Sequence, residues 1–350
     1  MQLTYLRIHN FKSIRSMEIR DIERALILVG KNNTGKTSVL DAICAVCGCY
    51  EIQDRDFNEN RQAIRIDACF SIEEEDLHLF HHMGIVSQYR RYDVWRRVFS
   101  ERLPSFQNGE LSFTFHVNQD GKVRYEDLYR KNNPYIHMVM PRIYRINAER
   151  ELNQLQNDLL MFQEDEELRR LRSGSCIFER AKKCNHCFQC IGLINKKKPE
   201  ELSAFETARL LEFKIYQMNL SGFSGKVNEN FFKNGGYEEI QYTLSCDADQ
   251  LFNVEVTAHN RQRGTVKPVE LMGKGMRSIY MLSLLETYIS EQGRIPSIIV
   301  VEDPEIFLHP QLQKTCSEIL YRLSKKNQVI FKTHSPDLLF NFSIRQIRQG

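Results

Sequence analysis

A glycine- and lysine-containing segment near the start of the chain has the residue types that hold phosphate groups. Residues 30–38, Gly-Lys-Asn-Asn-Thr-Gly-Lys-Thr-Ser, match the pattern G-x-x-x-x-G-K-[ST]. In such a loop the backbone amides surround the phosphates, Lys36 contacts the outer phosphates and Thr37 ligates Mg²⁺. The sequence therefore predicts a nucleoside triphosphate site, and a surface turn of the same composition is the weaker alternative. The predicted contacts are Gly30, Asn32, Asn33, Thr34, Gly35, Lys36, Thr37 and Ser38.

Two acids at the end of an apolar strand supply a second set of chemical groups. The β-branched run 298–301 is followed by Glu302 and Asp303, and a later apolar strand ends just before His334. A buried strand that delivers carboxylates at its carboxyl end can hold Mg²⁺ and a water molecule beside the phosphates. The pattern predicts that the acids and the histidine lie at neighbouring strand ends.

A second glycine loop precedes the acidic strand. Gly273, Lys274 and Gly275 open a predicted helix, and the amides of such a loop are another potential cradle for an anion. The phosphate loop, this loop, the acidic strand and the histidine strand occur in an order that is hard to explain by chance.

Composition restricts the class of protein. The chain has 350 residues, 42% of them hydrophobic, and a formal net charge of +3, which is too small to argue for nucleic acid by itself. No apolar run approaches the ~20 residues needed to cross a bilayer, and residues 1–11 lack the apolar block of a signal peptide. Ten cysteines in mostly apolar contexts fit a reducing compartment better than a disulfide framework. We expect a cytoplasmic protein.

The hydrophobic pattern predicts an α/β chain with an insertion. Predicted strands cover 3–8, 17–20, 26–29, 63–70, 110–117, 122–129, 237–245, 252–258, 297–301 and 328–332, with a hairpin turn at 118–121. Predicted helices cover 73–80, 86–99, 151–172, 199–220, 276–291 and 311–324. The helical runs 151–172 and 199–220 are expected to form a hairpin. The predicted domains are an N-terminal lobe (1–150), the inserted hairpin with a cysteine cluster, an arm for dimerisation or a partner (151–220), and a C-terminal lobe (221–350).

The order and wording of these motifs resemble the ATP-binding-cassette (ABC) heads of the SMC/RecF/OLD group, and specifically the OLD-type ATPases. Residues 6–14 are similar to the opening strand and turn of that group, which borders the adenine site. Residues 302–310, Glu-Asp-Pro-Glu-Ile-Phe-Leu-His-Pro, and residues 333–336, Thr-His-Ser-Pro, resemble the acidic and switch-histidine strings of OLD-type ATPases. The resemblance covers roughly residues 1–70 and 265–340 and is specific as a set.

The resemblance implies an ABC-type P-loop NTPase head with mixed β-sheet lobes that dimerises around ATP. Each nucleotide would lie between the phosphate loop of one subunit and the Gly273–Gly275 loop of the other. Glu302 would help to hold Mg²⁺, Asp303 would orient or deprotonate the attacking water, and His334 would sense the γ-phosphate. Lys36 and the loop amides would stabilise the transferring phosphoryl group.

Two departures from the family pattern concern the rate of ATP hydrolysis and the contact between subunits. The usual acid order is Asp then Glu, whereas this chain has Glu302 then Asp303, so hydrolysis could be slow or Glu305 could share the role. The serine expected in the second glycine loop is not evident, since Lys274 lies between the glycines.

OLD-type proteins usually continue into a TOPRIM nuclease domain, and the acids of this sequence are not expected to form a separate nuclease centre. The resemblance therefore implies either the ATPase part of a longer protein or a separate nuclease or toxin effector, as in bacterial anti-phage systems of the PARIS or Septu kind. The leading hypothesis is an ATPase that gates such an effector. The alternatives are an ATP-locked scaffold with little turnover and a RecF-like DNA-repair ATPase that binds DNA.

A cysteine cluster at 184–190, Cys-Asn-His-Cys-Phe-Gln-Cys, is the sharpest secondary signal. Cys184, Cys187 and Cys190 have a spacing that suits Zn²⁺, with His186 or Cys176 completing the set. An iron–sulfur cluster and uncoordinated thiols are the alternatives. A second trio, Cys44, Cys47 and Cys49, is expected to be small buried residues rather than ligands.

Several basic or acidic positions have both a functional and a structural interpretation. Four arginines at helical spacing near aromatic residues could contact DNA, but a solvated amphipathic helix is favoured. Arg150 could face the nucleotide or form a salt bridge, Lys196–Lys198 is expected to be a charged loop, and Asp56 is a weak candidate for the metal site. The four arginines are Arg90, Arg91, Arg96 and Arg97, near Tyr89, Tyr92 and Trp95.

Overall fold

The computed structural model divides the chain into two compact units. The head unit comprises Met1–Leu152 and Val269–Gly350, and the insert unit comprises Asn153–Pro268. Residues 221–268 thus fall in the insert unit, whereas the sequence analysis grouped them with the C-terminal lobe. The structure describes residues 1–31, 34–58, 62–147, 171, 174, 176–178, 184–218, 221–242, 256–260, 264–291 and 296–349.

The elements follow the chain in three runs. The head unit begins with β1 (Gln2–Phe11), β2 (Ile14–Ile19), β3 (Ala25–Val29), α1 (Lys36–Val46), β4 (Ile64–Ser71), α2 (Glu74–His82), α3 (Tyr92–Arg102), β5 (Phe106–Gln107), β6 (Glu110–Val117), β7 (Val123–Glu126), α4 (Pro134–Val139) and β8 (Arg142–Ile146). The insert unit contains α5 (Ile191–Ile194), α6 (Ala204–Gln217), α7 (Ser221–Lys233), β9 (Thr257–Asn260) and β10 (Thr265–Pro268). The head unit ends with α8 (Lys274–Glu291), β11 (Ser297–Glu302), α9 (Pro310–Lys326), β12 (Gln328–Thr333) and β13 (Ile347–Gln349).

An antiparallel sheet forms one layer of the head unit. Its strand order is β2-β1-β4-β6-β5, with β7 paired to β6. The strands alternate as the sequence predicts: in β4, Ile64, Ile66, Ala68 and Phe70 are buried while the residues between them are exposed or half-buried. This alternation fixes the register, since a slip by one residue would turn the apolar side chains to water.

A parallel sheet forms the second layer and carries the candidate site. Its order is β13-β3-β12-β11-β8, and every neighbouring pair is parallel. All six residues of β11 are buried, which explains the continuous apolar run in the sequence. Because the strands are parallel, the segments that follow β3, β11 and β12 meet at one edge.

Helix α1 packs between the two sheets. Ten of its eleven residues are buried, and one apolar cluster joins them to strands of both layers. In the sequence this helix has no clear polar face because it has no solvent-facing side. The phosphate-binding segment is therefore anchored in the centre of the head unit.

Two helices begin five or six residues later than the sequence analysis predicts. Helix α3 begins at Tyr92 rather than Val86, and α6 begins at Ala204 rather than Pro199. A capping box sets the latter boundary: the Ser203 hydroxyl accepts a hydrogen bond from Glu206 N (3.2 Å), and the Glu206 carboxylate accepts one from Ser203 N (3.1 Å).

The strand predicted at 237–245 does not form in its described part, residues 237–242. Side chains of α7 take up its backbone hydrogen bonds instead: Asn228 bonds both N and O of Ile240 (2.9 Å each), and the Ser224 hydroxyl accepts from Tyr242 N (3.2 Å). The predicted helix at 151–172 lies outside the described residues except for Leu171. Within the part of the chain that the structure describes, no helix is both long and apolar enough to cross a membrane.

Candidate nucleotide site

The predicted phosphate loop joins β3 to α1, and Lys36 is the first residue of that helix. Its ammonium donates hydrogen bonds to the backbone oxygens of Gly30 (2.8 Å) and Lys31 (2.5 Å). Gly35 has a φ of +89°, which favours glycine, and a Cβ there would lie 3.3 Å from Ile14 Cγ1. The loop is therefore packed closely around its lysine.

The hydroxyls of Thr34 and Ser38 also make contacts in this loop. The Thr34 hydroxyl donates to the oxygen of Lys31 (3.0 Å), and the hydroxyls of Ser38 and Ser13 are 3.3 Å apart. Burial lowers the pKa of Lys36, although the nearby carboxylate of Asp303 opposes that change. Asn32 and Asn33 lie outside the described residues.

The two acids stand at the carboxyl end of β11. Glu302 is its last residue, and Asp303 follows with a φ of +43° while its N–H donates to the oxygen of Lys332 (3.2 Å). A left-handed backbone at a residue other than glycine carries strain of order 1 kcal/mol, which aspartate tolerates better than most residues. The backbone thus turns sharply at the residue proposed to act on water.

The ammonium group of Lys332 lies close to three oxygen atoms of this site. Lys332 Nζ lies 2.8 Å from Thr37 Oγ1, 3.0 Å from Asp303 Oδ2 and 3.4 Å from Glu302 Oε2. A hydroxyl and two carboxylates that converge on one cation are the type of donor set that Mg²⁺ takes in proteins. The residues present therefore fit the magnesium ion that the fold implies, with Thr37 and Glu302 as the groups that would hold it and Asp303 beside them.

A chain of alternating charges continues from Glu302 into the core. Arg145, on β8, donates to Glu302 Oε1 from Nε (3.0 Å) and Nη2 (2.6 Å), and Nη2 also lies 2.6 Å from Asp41 Oδ1. Lys12 pairs with the second Asp41 oxygen (2.5 Å) and lies 3.5 Å from Asp56. Burial is the largest single influence on Lys12 and disfavours its charged form, but the hydrogen bonds and charges of Asp41 and Tyr50 together outweigh it, so the pKa is raised.

Asp56 is therefore at the far end of this charge chain rather than at the acid pair. It accepts hydrogen bonds from the Tyr50 hydroxyl (2.9 Å) and from Gln53 N (2.9 Å). Sequence analysis did not select Lys12, Asp41, Arg145 or Lys332. Of these, only Lys332 carries a sequence signal, since it immediately precedes the switch-histidine string.

The predicted switch histidine lies at the neighbouring strand end. His334 directly follows β12, is exposed, and donates from its N–H to Glu305 Oε1 (2.6 Å). This bond joins the loop after β11 to the loop after β12. Glu305, which the sequence analysis considered as an acid that could share the role of Asp303, is thus hydrogen-bonded to the backbone of His334.

The second glycine loop packs against the loop that follows β11. A Cβ on Gly275 would lie 2.6 Å from the oxygen of Phe307, whereas a Cβ on Gly273 would meet nothing within 4 Å. Lys274 Nζ lies 4.3 Å from the centre of the Phe307 ring. Gly275 is required for this close approach within one chain, and the role of the loop toward a partner's nucleotide stays a prediction.

The structure does not support the predicted zinc site. Among the described residues, no group of three or more His, Cys, Asp or Glu side chains is placed to hold a metal ion. Cys190 is buried against Ile191 and Ile194, and this burial raises the pKa of its thiol, which disfavours the thiolate that a metal needs. Cys184 is half-buried and Cys187 is exposed. The same finding argues against an iron–sulfur cluster among these residues.

The other candidate groups are mostly structural. Helix α3 buries Trp95 and Phe99 and is amphipathic, and Arg96 stacks on the Phe106 ring (5.1 Å). Arg90 and Arg91 precede this helix, and contact of the four arginines with DNA stays a prediction. The second cysteine trio is predicted correctly at Cys44 and Cys47, which are buried, and wrongly at Cys49, which is exposed. Arg150 lies outside the described residues.

Comparisons with known proteins agree with this geometry. Over 78 residues the chain is 30% identical to the OLD nuclease of Thermus scotoductus, an alignment that spans 22% of this chain and 15% of that protein.

Two solved structures are similar in fold. The Smc head domain of Pyrococcus furiosus, with an extended coiled coil and bound to the C-terminal domain of ScpA, has a TM-score of 0.53 and 16% identity over 97% of this chain and 91% of that chain. An SmcHead bound to the C-winged helix domain of ScpA has a TM-score of 0.51 and 16% identity over 97% and 92%. At this identity the likeness shows the fold, which is that of an ABC-type P-loop ATPase head. Residues 1–339 match the AAA ATPase domain family, and the chain therefore belongs to that family.

Proposed function

We propose that this ATPase binds Mg²⁺–ATP at the loop between β3 and α1 and hydrolyses it slowly with the Glu302–Asp303 pair. The observation that supports this proposal is the convergence of Thr37, Glu302 and Asp303 on one cation position. Lys36 begins the helix at the same edge of the sheet. These are the groups that phosphoryl transfer to water requires: a phosphate cradle, oxygen ligands for Mg²⁺ and a base.

Each residue has a distinct proposed role. Lys36 would exchange its two carbonyl contacts for phosphate oxygens and stabilise the charge that spreads over the transferring group. Asp303 would orient the attacking water and accept its proton, and His334 would contact the γ-phosphate from the next strand. Mg²⁺, when bound, would neutralise charge on the β- and γ-phosphates.

The alternative is a scaffold that binds ATP with little turnover. Two observations favour it: the acid at the second position is the shorter aspartate, and Lys332 forms an ion pair with that aspartate (3.0 Å). Either property would make Asp303 a poorer base toward water. The rate of ATP hydrolysis by the wild type therefore has to be compared with that of variants that lack the proposed catalytic groups.

Steady-state phosphate release separates the two accounts. We expect Lys36→Ala to lower turnover about 10²–10³-fold and Asp303→Asn to lower it about 10²–10⁴-fold. Lys314→Ala, at an exposed position of α9, is the matched control and should be unaffected. If the wild type is no faster than both site variants, the scaffold account is correct.

We also propose that two heads close around ATP, with the Gly273–Gly275 loop of one facing the nucleotide of the other. Asp303→Asn, which should bind ATP without turning it over, is expected to form dimers in ATP by light scattering, and Lys36→Ala should stay monomeric. Identical masses for both proteins with and without ATP would contradict this arrangement.

A final part of the proposal concerns what the head controls. The compared Smc heads are bound to domains of ScpA, and the curated relative is named a nuclease. These likenesses support a head that regulates a protein partner, namely a nuclease or toxin in bacterial anti-phage defence. The reading frames beside the gene test this: a TOPRIM domain or a separate nuclease there would support it. A plaque assay in which Lys36→Ala protects as well as the wild type would contradict it.

A further inference from the structure

Lys332 occupies the point at which the proposed metal ligands converge. It belongs to β12, directly opposite Glu302 of β11 in the parallel register, so the sheet itself holds the two side chains together. The Lys332 side chain is only 13% exposed, and those of Glu302 and Asp303 are 10% and 15% exposed. An ammonium group has three N–H donors, and Lys332 has three oxygen partners within 3.4 Å.

We propose that Lys332 is a resident cation that competes with Mg²⁺ for Thr37 and Glu302, so that the metal enters readily only together with a nucleotide. This inference rests on the proposed function, because it assigns these two residues to the metal. It adds a positioning residue that keeps the site closed to metal until phosphate arrives.

Charge and geometry support the competition. Two partly buried carboxylates next to each other repel unless a cation lies between them, and here Lys332 provides that cation for both. Mg²⁺ requires oxygen ligands at about 2.0–2.1 Å in near-octahedral geometry, so it cannot share these oxygens with an ammonium at hydrogen-bonding distance. One cation must leave before the other can bind.

Nucleotide phosphates offer the displaced ammonium a new partner. Lysine is a compact charge on a flexible four-carbon stem, so it can move between acceptors while its backbone stays in the strand. Lys332 Nζ lies 2.8 Å from the hydroxyl of Thr37, which directly follows Lys36, the lysine proposed to contact phosphate. The proposed phosphate position is therefore within reach of the displaced side chain.

The test measures metal binding rather than turnover. Mn²⁺, a probe for Mg²⁺, is titrated into the nucleotide-free full chain and followed by electron paramagnetic resonance, with Mg²⁺ as competitor. We expect Lys332→Met to bind Mn²⁺ at least 10-fold more tightly than the wild type. Lys314→Met, which removes the same charge from an exposed position of α9, should match the wild type. Equal affinity for wild type and Lys332→Met, or weaker binding by the variant, would overturn the inference.

A second measurement tests the link to the nucleotide. With a non-hydrolysable ATP analogue, the gain in Mn²⁺ affinity should be several-fold larger in the wild type than in Lys332→Met, because only the wild type has a resident cation to displace. An equal gain in both proteins contradicts the inference. Should the methionine variant not fold, Lys332→Gln keeps a donor for Thr37, removes the charge and undergoes the same two titrations.

These readouts are separable from the proposed hydrolysis. A protein that binds metal as expected but does not turn over ATP would contradict the ATPase proposal alone. A protein that hydrolyses ATP but binds Mn²⁺ equally with and without Lys332 would contradict this inference alone.

Discussion

Arg145 bridges two carboxylates of the head unit, and its replacement by methionine should lower the stability of that unit. Its guanidinium makes contacts of 2.6–3.0 Å to Glu302 and of 2.6 Å to Asp41. The Asp41 side chain is 4% exposed, that of Glu302 10% and that of Arg145 27%. Methionine has a similar length and flexibility but no charge, so the variant leaves two largely buried carboxylates without their common partner.

The size of the effect follows from burial. Removing one member of a buried ion pair costs about 3–5 kcal/mol, because the remaining charge stays desolvated. Asp41 retains Lys12 and Glu302 retains Lys332, so we expect the low end, about 3 kcal/mol. For a domain of about 150–250 residues this corresponds to a fall in Tm of about 6–12 °C.

The assay is thermal unfolding of nucleotide-free protein, supported by urea unfolding for the free energy. Arg145→Lys should lose less than Arg145→Met, because it keeps the charge but not the planar fork that reaches two carboxylates. Arg97→Met, at an exposed position of α3, is the control for loss of an arginine.

A double-mutant cycle with Asp41→Asn gives the decisive result. If the two groups interact as the structure shows, Arg145→Met combined with Asp41→Asn will cost at least 1 kcal/mol less than the sum of the single variants, a coupling of the size found for residues in contact. Additivity to within about 0.5 kcal/mol would refute the interaction, and a change below about 0.5 kcal/mol in Arg145→Met would refute the burial argument.

Two further predictions concern helices α8 and α9. Gly275→Ala would place a Cβ 2.6 Å from the oxygen of Phe307, so thermal unfolding should show a loss of stability of about 1–3 kcal/mol. In the control Gly273→Ala the new Cβ meets nothing within 4 Å, so the stability should not change. Equal effects of the two substitutions would contradict the packing. Hydrogen bonds from Arg322 lower the pKa of Glu286, so this pair contributes stability above the unfolded-state pKa of about 4.3 that is lost as pH falls through the folded pKa. In urea unfolding, Arg322→Ala should therefore cost about 0.3–1 kcal/mol at pH 7 and progressively less as the pH falls through the folded pKa of Glu286. A pH-independent cost would exclude the ion pair as its origin.

Most strands of the two sheets could be predicted from the sequence because their patterns arise from burial on one or both faces, whereas β5, β8 and β13 are absent from the predicted strands. The prediction for β6, residues 110–117, agrees with the structure at both ends, and the buried run of β11 is extended by one residue. Helix α3 was predicted to begin six residues too early because Ile85 and Val86 are apolar. They are part of a loop beneath Trp95, whose indole N–H donates to the oxygen of Ile85 (3.0 Å).

The cations of the site were not selected from the sequence because, apart from the position of Lys332 just before the switch-histidine string, nothing local to them differs from an ordinary charged residue. Arg145 and Glu302 are 157 residues apart, and Lys332 and Thr37 are 295 apart, so these contacts exist only after the sheet has formed. The phosphate loop and the acid strand carry their own sequence pattern, since their backbone geometry demands particular residues. The charged residues that contact these two segments from distant parts of the chain have no such pattern.

The charge chain gives a physical account of the unusual acid order. Glu302, with one methylene more than aspartate, reaches Arg145 with one carboxylate oxygen while the other lies 3.4 Å from Lys332. Two charge-assisted hydrogen bonds from a fixed guanidinium hold that carboxylate in place, which suits a group that positions a metal. Asp303 follows with a left-handed backbone and forms an ion pair with Lys332 (3.0 Å). If Lys332 moves toward phosphate, Asp303 gains freedom to contact water, so one displacement would admit the metal and release the proposed base together.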